Sequence, residues 1–405
     1  MSTAAKSPSD EKLALVLPGG GARGAFQVGV LKAIAELLPA NSVNPFNILS
    51  GTSAGAINAT VIASKARRFR LATAELERVW GGFHSAQVFD SSATTMLKSS
   101  LHWMAALVFG GLGVKNPRSL LDNSPLRALL EKNVKFTRIR SAIDRGYLDA
   151  LAVTAAGYSS ARSVSFFQAR ESMLPWQRTR RTGVRVPINL DHLMASIAVP
   201  MIFPPTQIRG EYYGDGAMRQ ATPLSPAVHL GADRILIIGV RDEVASPAAD
   251  PNSPAEFPSF GQIAGYMLDT LFLDGVYSDM ERLSRINDLL DACPPEHRRG
   301  TAARMRPIDT MIVVPSRDLR AIAAEHIGEL PRSVRLLLRG VGGRNHAENR
   351  LVSFLLFESG YTQALIDLGY RDAMKVSEQL VAFLTDQPVP RLFAPTWLKR
   401  DLSTL

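Results

Sequence analysis

A serine hydroxyl becomes a nucleophile when one group takes its proton and another receives the charge that its attack creates. Residues 51–55 read Gly-Thr-Ser-Ala-Gly, a G-x-S-x-G. In that pattern Ser53 sits on a sharp strand-to-helix turn with its hydroxyl at the end of a sheet. Gly51 and Gly55 let the backbone reverse and keep the space around the hydroxyl open. The flanks fit this context: "PFNILSG" reads as a short apolar strand and "AGAINATVIASKA" as a helix. The reading without chemistry is a plain turn.

A second glycine turn lies upstream, Gly19-Gly20-Gly21-Ala22-Arg23-Gly24. It satisfies G-x-G-x-x-G, but a dinucleotide site also wants an acidic residue about 20 positions on. After Glu36 no Asp or Glu occurs until Glu75. A P-loop would need Lys-Ser/Thr after the last glycine, where Ala25-Phe26 stands. What remains is a row of unpaired amides at a helix start, bare of side chains. Such a row suits an anion or the oxyanion of acyl transfer. A tight turn with no ligand is the plain alternative.

The proton acceptor is less clear from residue types. The seven histidines include His229, after a helix-like stretch, and His346, in "GGRNHAEN"; neither stands in a distinctive motif. Asp215, in "YYGDGAM", follows an aromatic strand and is held between Gly214 and Gly216. A carboxylate there can approach another loop closely, although an Asp-Gly hairpin turn is the common use of such a pair. Partial burial among Tyr212, Tyr213 and the glycine turns would raise its pKa toward that of a useful base.

These residues need a frame. "KLALVL" reads as a buried strand before the glycine turn, and Phe26, Val30, Ile34 and Leu37 fall at helical spacing after it. Strand, glycine turn, helix, strand, turn, helix is the α/β pattern with a mostly parallel central sheet and both faces covered, an α/β/α arrangement. Further strands are expected at "LDALAVTAAGY", "SVSFFQ", "EYYGD", "RILIIGV" and "DTMIVVP". Residues 1–11 read as a mobile tail and 12–244 as the catalytic domain. Residues 245–260 are a proline-rich linker or excursion, and 261–405 a mainly helical part that adds one late strand.

The three stretches "GGGARG", "GTSAG" and "DGA", in this order and spacing, resemble the motifs of the patatin-like phospholipase family. "ASIAVPMIFPP" at 195–205, "LLDNSPLRALL" at 120–130 and "FLLFESGYTQALIDLGYRDA" at 354–373 are similar to other stretches of its members. The resemblance spans about residues 12–386. It implies hydrolysis of a fatty-acyl ester of a phospholipid or related lipid by a Ser53–Asp215 dyad without a catalytic histidine. It implies an oxyanion hole on Gly19, Gly20, Gly21 and Ala22, motif support from Arg23, Gly24, Gly51, Gly55 and Gly216, and neither metal nor cofactor. Two other readings stay open: a Ser–His–Asp esterase using His229 or His346, and a non-catalytic anion- or nucleotide-binding α/β protein in which Ser53 only turns the chain.

The 405 residues are 46% hydrophobic and 20% charged, which excludes a disordered chain. A net charge of +9 favours anionic surfaces. Cys293 is alone, so no intramolecular disulfide forms. No run of about 18 apolar residues predicts a spanning helix. The N-terminus lacks the apolar core of a signal peptide. The expectation is a cytoplasmic protein touching a membrane face peripherally, with a lipid ester as substrate and no nucleic-acid partner. Region 83–115, with Trp103, Met104, Leu107, Val108 and Phe109, is a candidate acyl groove or membrane contact. Arg178, Arg180, Arg181 and Arg185 are a candidate headgroup site or a solvated basic loop. Oligomeric state is not legible.

Overall fold

A computed structural model describes residues 11–90, 92, 102, 119–241, 260–298, 300, 305–341, 348–385, 387 and 390–398. Residues 1–10 of the expected tail 1–11, most of the 83–115 region with its five apolar candidates, residues 245–259 of the proline-rich stretch 245–260 and His346 lie outside these residues.

Among the described residues, eleven strands join in one sheet. Along its main path the order is β11 (Leu392–Phe393), β10 (Asp309–Val313), β9 (Arg234–Ile238), β1 (Leu13–Leu17), β2 (Ile48–Thr52), β3 (Ala150–Gly157), β4 (Ser163–Ala169), β6 (Arg181–Arg185) and β5 (Trp176–Gln177). From β11 to β3 every neighbouring pair is parallel. The strand β4 runs antiparallel to β3. The short strands β7 (Thr206–Ile208) and β8 (Glu211–Asp215) form a hairpin off this path, with β8 antiparallel to β3.

The apolar runs that announce these strands have no polar face because both sides of the sheet are covered. In β1, Leu13, Leu15 and Leu17 enter one core, while Ala14 and Val16 enter the other. That is the two-residue alternation of a strand feeding two layers. The result is the three-layer α/β/α arrangement with a mostly parallel sheet expected from the sequence.

Helix α1 (Gly24–Leu37) follows the glycine turn, and α2 (Ala54–Ser64) follows Ser53. Both are apolar almost all round, as helices enclosed by other elements must be. The helix Ser359–Lys375 lies directly on α1. A Cβ on Gly29 would stand 2.0 Å from the Ile366 carbonyl oxygen, and one on Gly369 would stand 2.2 Å from that of Phe26. Two glycines facing each other thus let the backbones touch. Through this contact and through β10 and β11, residues beyond 261 close the layer over the glycine turn. Among the described residues no helix is long and apolar enough to cross a membrane.

Candidate functional site

The register of the sheet brings Ser53 and Asp215 together. Strand β2 pairs with β3 up to Thr52↔Thr154, and β8 takes over at the next residue, Asp215↔Ala155. So the strand that ends before Ser53 and the strand that ends on Asp215 lie end to end along one edge of β3.

Ser53 occupies a strained turn. Its φ of 53° and ψ of −127° lie in a region that side chains rarely enter. Its amide donates to Ser196 Oγ at 2.9 Å, and that hydroxyl donates to the Thr154 carbonyl at 2.7 Å. Two residues on, the Ala198 carbonyl accepts from the Asp215 amide at 2.8 Å. The segment after helix Leu190–Ser196 therefore clamps both candidate residues to β3. Sequence reading passed over Ser196, although it stands inside the stretch 195–205. A buried serine in an apolar surround was the available signal.

Asp215 is 1% exposed. Oδ1 accepts from the Ala217 amide at 2.9 Å, and Oδ2 has no hydrogen-bond partner. Burial pushes its pKa up from 3.8 to about 7, against a smaller opposing pull from the Ser53 hydroxyl and the Ala217 amide. The hydroxyl is therefore near enough to feel the carboxylate without completing a hydrogen bond, and the orphaned Oδ2 agrees with that arrangement. The source of burial differs from the expectation. Tyr212 is half exposed and Tyr213 packs edge-on against Phe166. Gly216, seated on the Thr154 carbonyl, encloses Asp215 as expected of the glycine turn, while β3 and the 196–198 segment take the place of the tyrosines.

The glycine turn faces Ser53 across a shared cavity. Gly21 and Ser53 both line it, with Ala54, Trp80, Phe83, Ile197, Phe203, Phe354 and Phe357 among its apolar walls. Its volume of about 50 Å³ holds only a few methylene-sized groups. Gly21 has φ of +55°, and a Cβ on it would strike the Phe354 carbonyl oxygen at 2.3 Å. A Cβ on Gly55 would meet the Leu17 carbonyl oxygen at 2.0 Å, so the start of α2 rests on the end of β1. Gly51, Gly24 and Gly216 fill similarly tight seats against Ala56, Ala54 and Thr154. The Arg23 amide bonds back to the Gly20 carbonyl at 3.1 Å, and the Gly24 amide to Gly21 and Ala22. The amides of Gly20, Gly21 and Ala22 donate to no acceptor among the described residues. Gly19 is buried behind them.

Arg23 points away from the cavity. It is 1% exposed, donates through Nε and Nη2 to Ser353 Oγ at 3.0 and 2.7 Å, and reaches Asp269 Oδ1 at 3.4 Å. Its guanidinium also lies 3.9 Å over the Phe354 ring. It holds the glycine turn to the C-terminal helices. Behind the turn, Gln27 donates to the Pro18 and Ile238 carbonyls, Asn58 donates to Gln27, and Trp80 to Asn58. This buried polar chain was not foreseen.

No histidine lines the Ser53 cavity among the described residues. His229 stacks on Trp176 in the core of the other sheet face, and its Nδ1 lies 2.8 Å from the Ser225 carbonyl. His192 is buried, and burial pushes its pKa down to about 4. Of the basic cluster, Arg181 bonds to Thr222, and Arg185 to the Ala169 and Arg170 carbonyls. Arg178 and Arg180 are exposed. No group of metal-ligating side chains occurs among the described residues.

A family model described as patatin-like phospholipase matches residues 15–228. Curated relatives include an uncharacterised NTE family protein of Mycobacterium bovis and its counterpart in Mycobacterium tuberculosis H37Rv. Each is 24% identical over 261 residues, covering 62% of this chain and 56% of the relative, so the match spans little more than half of those proteins. Among solved structures, VipD of Legionella pneumophila aligns at 13% identity and TM-score 0.35, over 91% of this chain and 67% of that one. ExoU of Pseudomonas aeruginosa, solved with SpcU, aligns at 15% and 0.24, over 92% and 77%. The family model covers more than half of the sequence and all three motifs, and the chain belongs to the patatin-like phospholipase family.

Proposed function

We propose that this protein is a serine acyl hydrolase acting on fatty-acyl esters of phospholipids or related lipids, with Ser53 as nucleophile and Asp215 as base. The observation that carries the reading is the buried Asp215 carboxyl, raised to about 7 and left with one oxygen unbonded beside a strained serine. Ser53 Oγ attacks the ester carbonyl carbon while its proton passes to Asp215. The tetrahedral oxyanion rests on the free amides of Gly20, Gly21 and Ala22. The ester C–O bond breaks, the leaving alcohol takes the proton from Asp215, and an acyl-serine remains. Water then attacks with Asp215 again accepting the proton, which returns to Ser53 as the fatty acid leaves. These steps use only this chain's residues and water.

The apolar walls suit a fatty chain over a polar acyl group. The closed cavity must widen to admit one. Helix Phe260–Ala292 supplies Leu268 to the cavity wall and exposes Ile263, Tyr266 and Met267. These offer a lipid surface an apolar contact on the helix that walls the site, and the reading includes transient membrane contact there. The triad alternative gains no support from the position of His229.

The test is covalent labelling by a fluorophosphonate, read with hydrolysis of a p-nitrophenyl ester series and a phospholipid panel. Labelling at Ser53 and turnover that vanish together in Ser53→Ala are the expected outcome. An unlabelled Ser53 in a folded protein, or full turnover by the variant, overturns the proposal.

A further inference from the structure

A second concavity lies at the other end of α2. That helix starts directly after Ser53 and ends at Ser64, 11 residues on. At about 1.5 Å per residue the two ends stand about 16 Å apart. The cleft has a volume of about 520 Å³. That falls within the range of roughly 300–1,000 Å³ typical of small-molecule sites. Eleven residues line it; Lys65, Arg67, Arg68, Arg138 and Arg145 are cationic and none is acidic.

Lys65 is neutralised by Glu75. The four arginine side chains make no ion pair or hydrogen bond with any other described residue. The nearest carboxylate on the same short helix, Asp144, is taken by Arg140. Gathering four unpaired guanidinium groups around one hollow raises their mutual repulsion, and a cleft lined by one sign of charge focuses its field inward. Two helices end here, and cations near helix C-termini are favoured by the dipole. Yet the terminal carbonyls are already used: Ala66 O by the Asn44 amide, Lys65 O by Arg68, Ser141 O by Arg145 and Ala142 O by Tyr147. The four guanidinium groups are exposed at the cleft and have no acceptor among the described residues, and the Ser141 and Tyr147 hydroxyls stand beside them as further donors.

We infer that this cleft is a binding site for a small anion carrying two or more phosphate groups, held by Arg67, Arg68, Arg138 and Arg145. Planar guanidinium forks match phosphate oxygens two at a time, which lysines would not do. A single-sign hollow of this size selects a compact polyphosphate over an extended polyanion.

The test is calorimetric titration of the full chain with inorganic pyrophosphate at low salt. Saturable binding is expected, weakening at least tenfold as ionic strength is raised to about 0.5 M, as screening requires. Arg68→Gln/Arg145→Gln should lose at least tenfold in affinity. Arg178→Gln/Arg180→Gln, which removes two exposed arginines elsewhere, should bind like wild type. Vesicles containing phosphatidylinositol bisphosphate distinguish the source. Pelleting that pyrophosphate competes away, and that the same double variant loses, assigns the phosphates to a lipid headgroup; pyrophosphate binding without it assigns them to a soluble ligand. If the arginines serve only the helix ends, the double variant will melt lower and wild type will not bind pyrophosphate. Absent binding, or binding equal in both double variants, overturns the inference; Arg67→Lys/Arg138→Lys provides a second pair should the first misfold.

Discussion

The two ends of α2 use the same residue in opposite ways. At the Ser53 end Arg23 is enclosed, bonded twice to Ser353, paired with Asp269 and stacked on Phe354. At the Ser64 end four arginines surround a hollow with no partner among the described residues. An arginine whose donors are consumed by the protein has become part of the scaffold. Exposed arginines that line a hollow without a protein partner remain available to a ligand. The same contrast separates Ser53 from Ser196. Ser196 spends both its hydrogen bonds on backbone, whereas the Ser53 hydroxyl completes none. A polar group's function here follows from what its neighbours leave unsatisfied.

The largest break in this contrast is removal of the uncommitted groups at the Ser53 end. Ser53→Ala should lower kcat/KM on an acyl ester by about 10³-fold or more, as loss of a nucleophile does elsewhere. Asp215→Asn should cost at least about 10²-fold, the usual worth of a positioned base. Its effect on stability runs the other way. Unfolded, this carboxyl releases its proton near 3.8; folded, it does so near 7. Between those values the folded chain holds a proton that the unfolded chain has lost, so stability falls as pH rises across that window. The cost is fully present above pH 7 and is on the order of 2–4 kcal/mol. Asp215→Asn removes it, so the inactive variant should melt higher than wild type at pH 8, with the gain vanishing below about pH 4. Wild-type kcat/KM should climb with pH through about 7 as the base becomes ionised. A flat profile, or a variant that melts lower at pH 8, would show that Asp215 is not held as an unsolvated acid.

A middle effect tests the committed arginine. Arg23→Met keeps much of the volume but removes the hydrogen bonds that Arg23 donates to Ser353 and Asp269. Breaking a buried ion pair costs about 3–5 kcal/mol. Here Asp269 retains some exposure and the separation is 3.4 Å, so about 2–3 kcal/mol is expected by denaturant unfolding. Loss of kcat with KM little changed would mark the glycine turn as loosened; unchanged stability would place Arg23 outside the scaffold.

How much of this was legible follows from where each partner sits along the chain. Strands β1, β2, β3, β4, β9 and β10 announce themselves as apolar runs because burial on both faces leaves no polar alternation to confuse, and β8, whose Tyr212 is exposed, does so by its paired tyrosines. The glycine turn, the Ser53 turn and the Asp215 turn are local and carry their own residue chemistry. The hairpin of β5 and β6 was missed because "RTGVR" reads as a basic loop. It is a strand since Trp176 covers Gly183 and the guanidinium groups of Arg181 and Arg185 find oxygen acceptors. The clamp at Ser196 joins residues 143 and 42 positions away. No window of sequence contains such a contact. The basic cleft likewise unites residues 65–68 with 138–145, two ordinary charged stretches until the fold places them side by side. The burial of Asp215 was expected from adjacent tyrosines and glycine turns; Gly216 contributes, but distant backbone stands where the tyrosines were expected.

The smallest effect isolates the turn from the hydroxyl. Ser196→Ala removes the acceptor of the Ser53 amide and the donor to the Thr154 carbonyl, both buried. About 1–3 kcal/mol of stability should be lost, with a fall in kcat and little change in KM, because a serine held less firmly still binds substrate. Finer still is the backbone strain at Ser53. Its φ of 53° with ψ of −127° suits glycine alone. Ser53→Ala retains the strain and Ser53→Gly releases it, while both lack the hydroxyl. The glycine variant should therefore unfold at higher denaturant than the alanine variant, by about 1 kcal/mol against the roughly 1–3 kcal/mol such strain can store. The gain is reduced because glycine also loosens the unfolded chain. Equal stability of the two would mean that the turn is relaxed, and that the position of the nucleophile is set by Ser196 and Gly55 without stored strain.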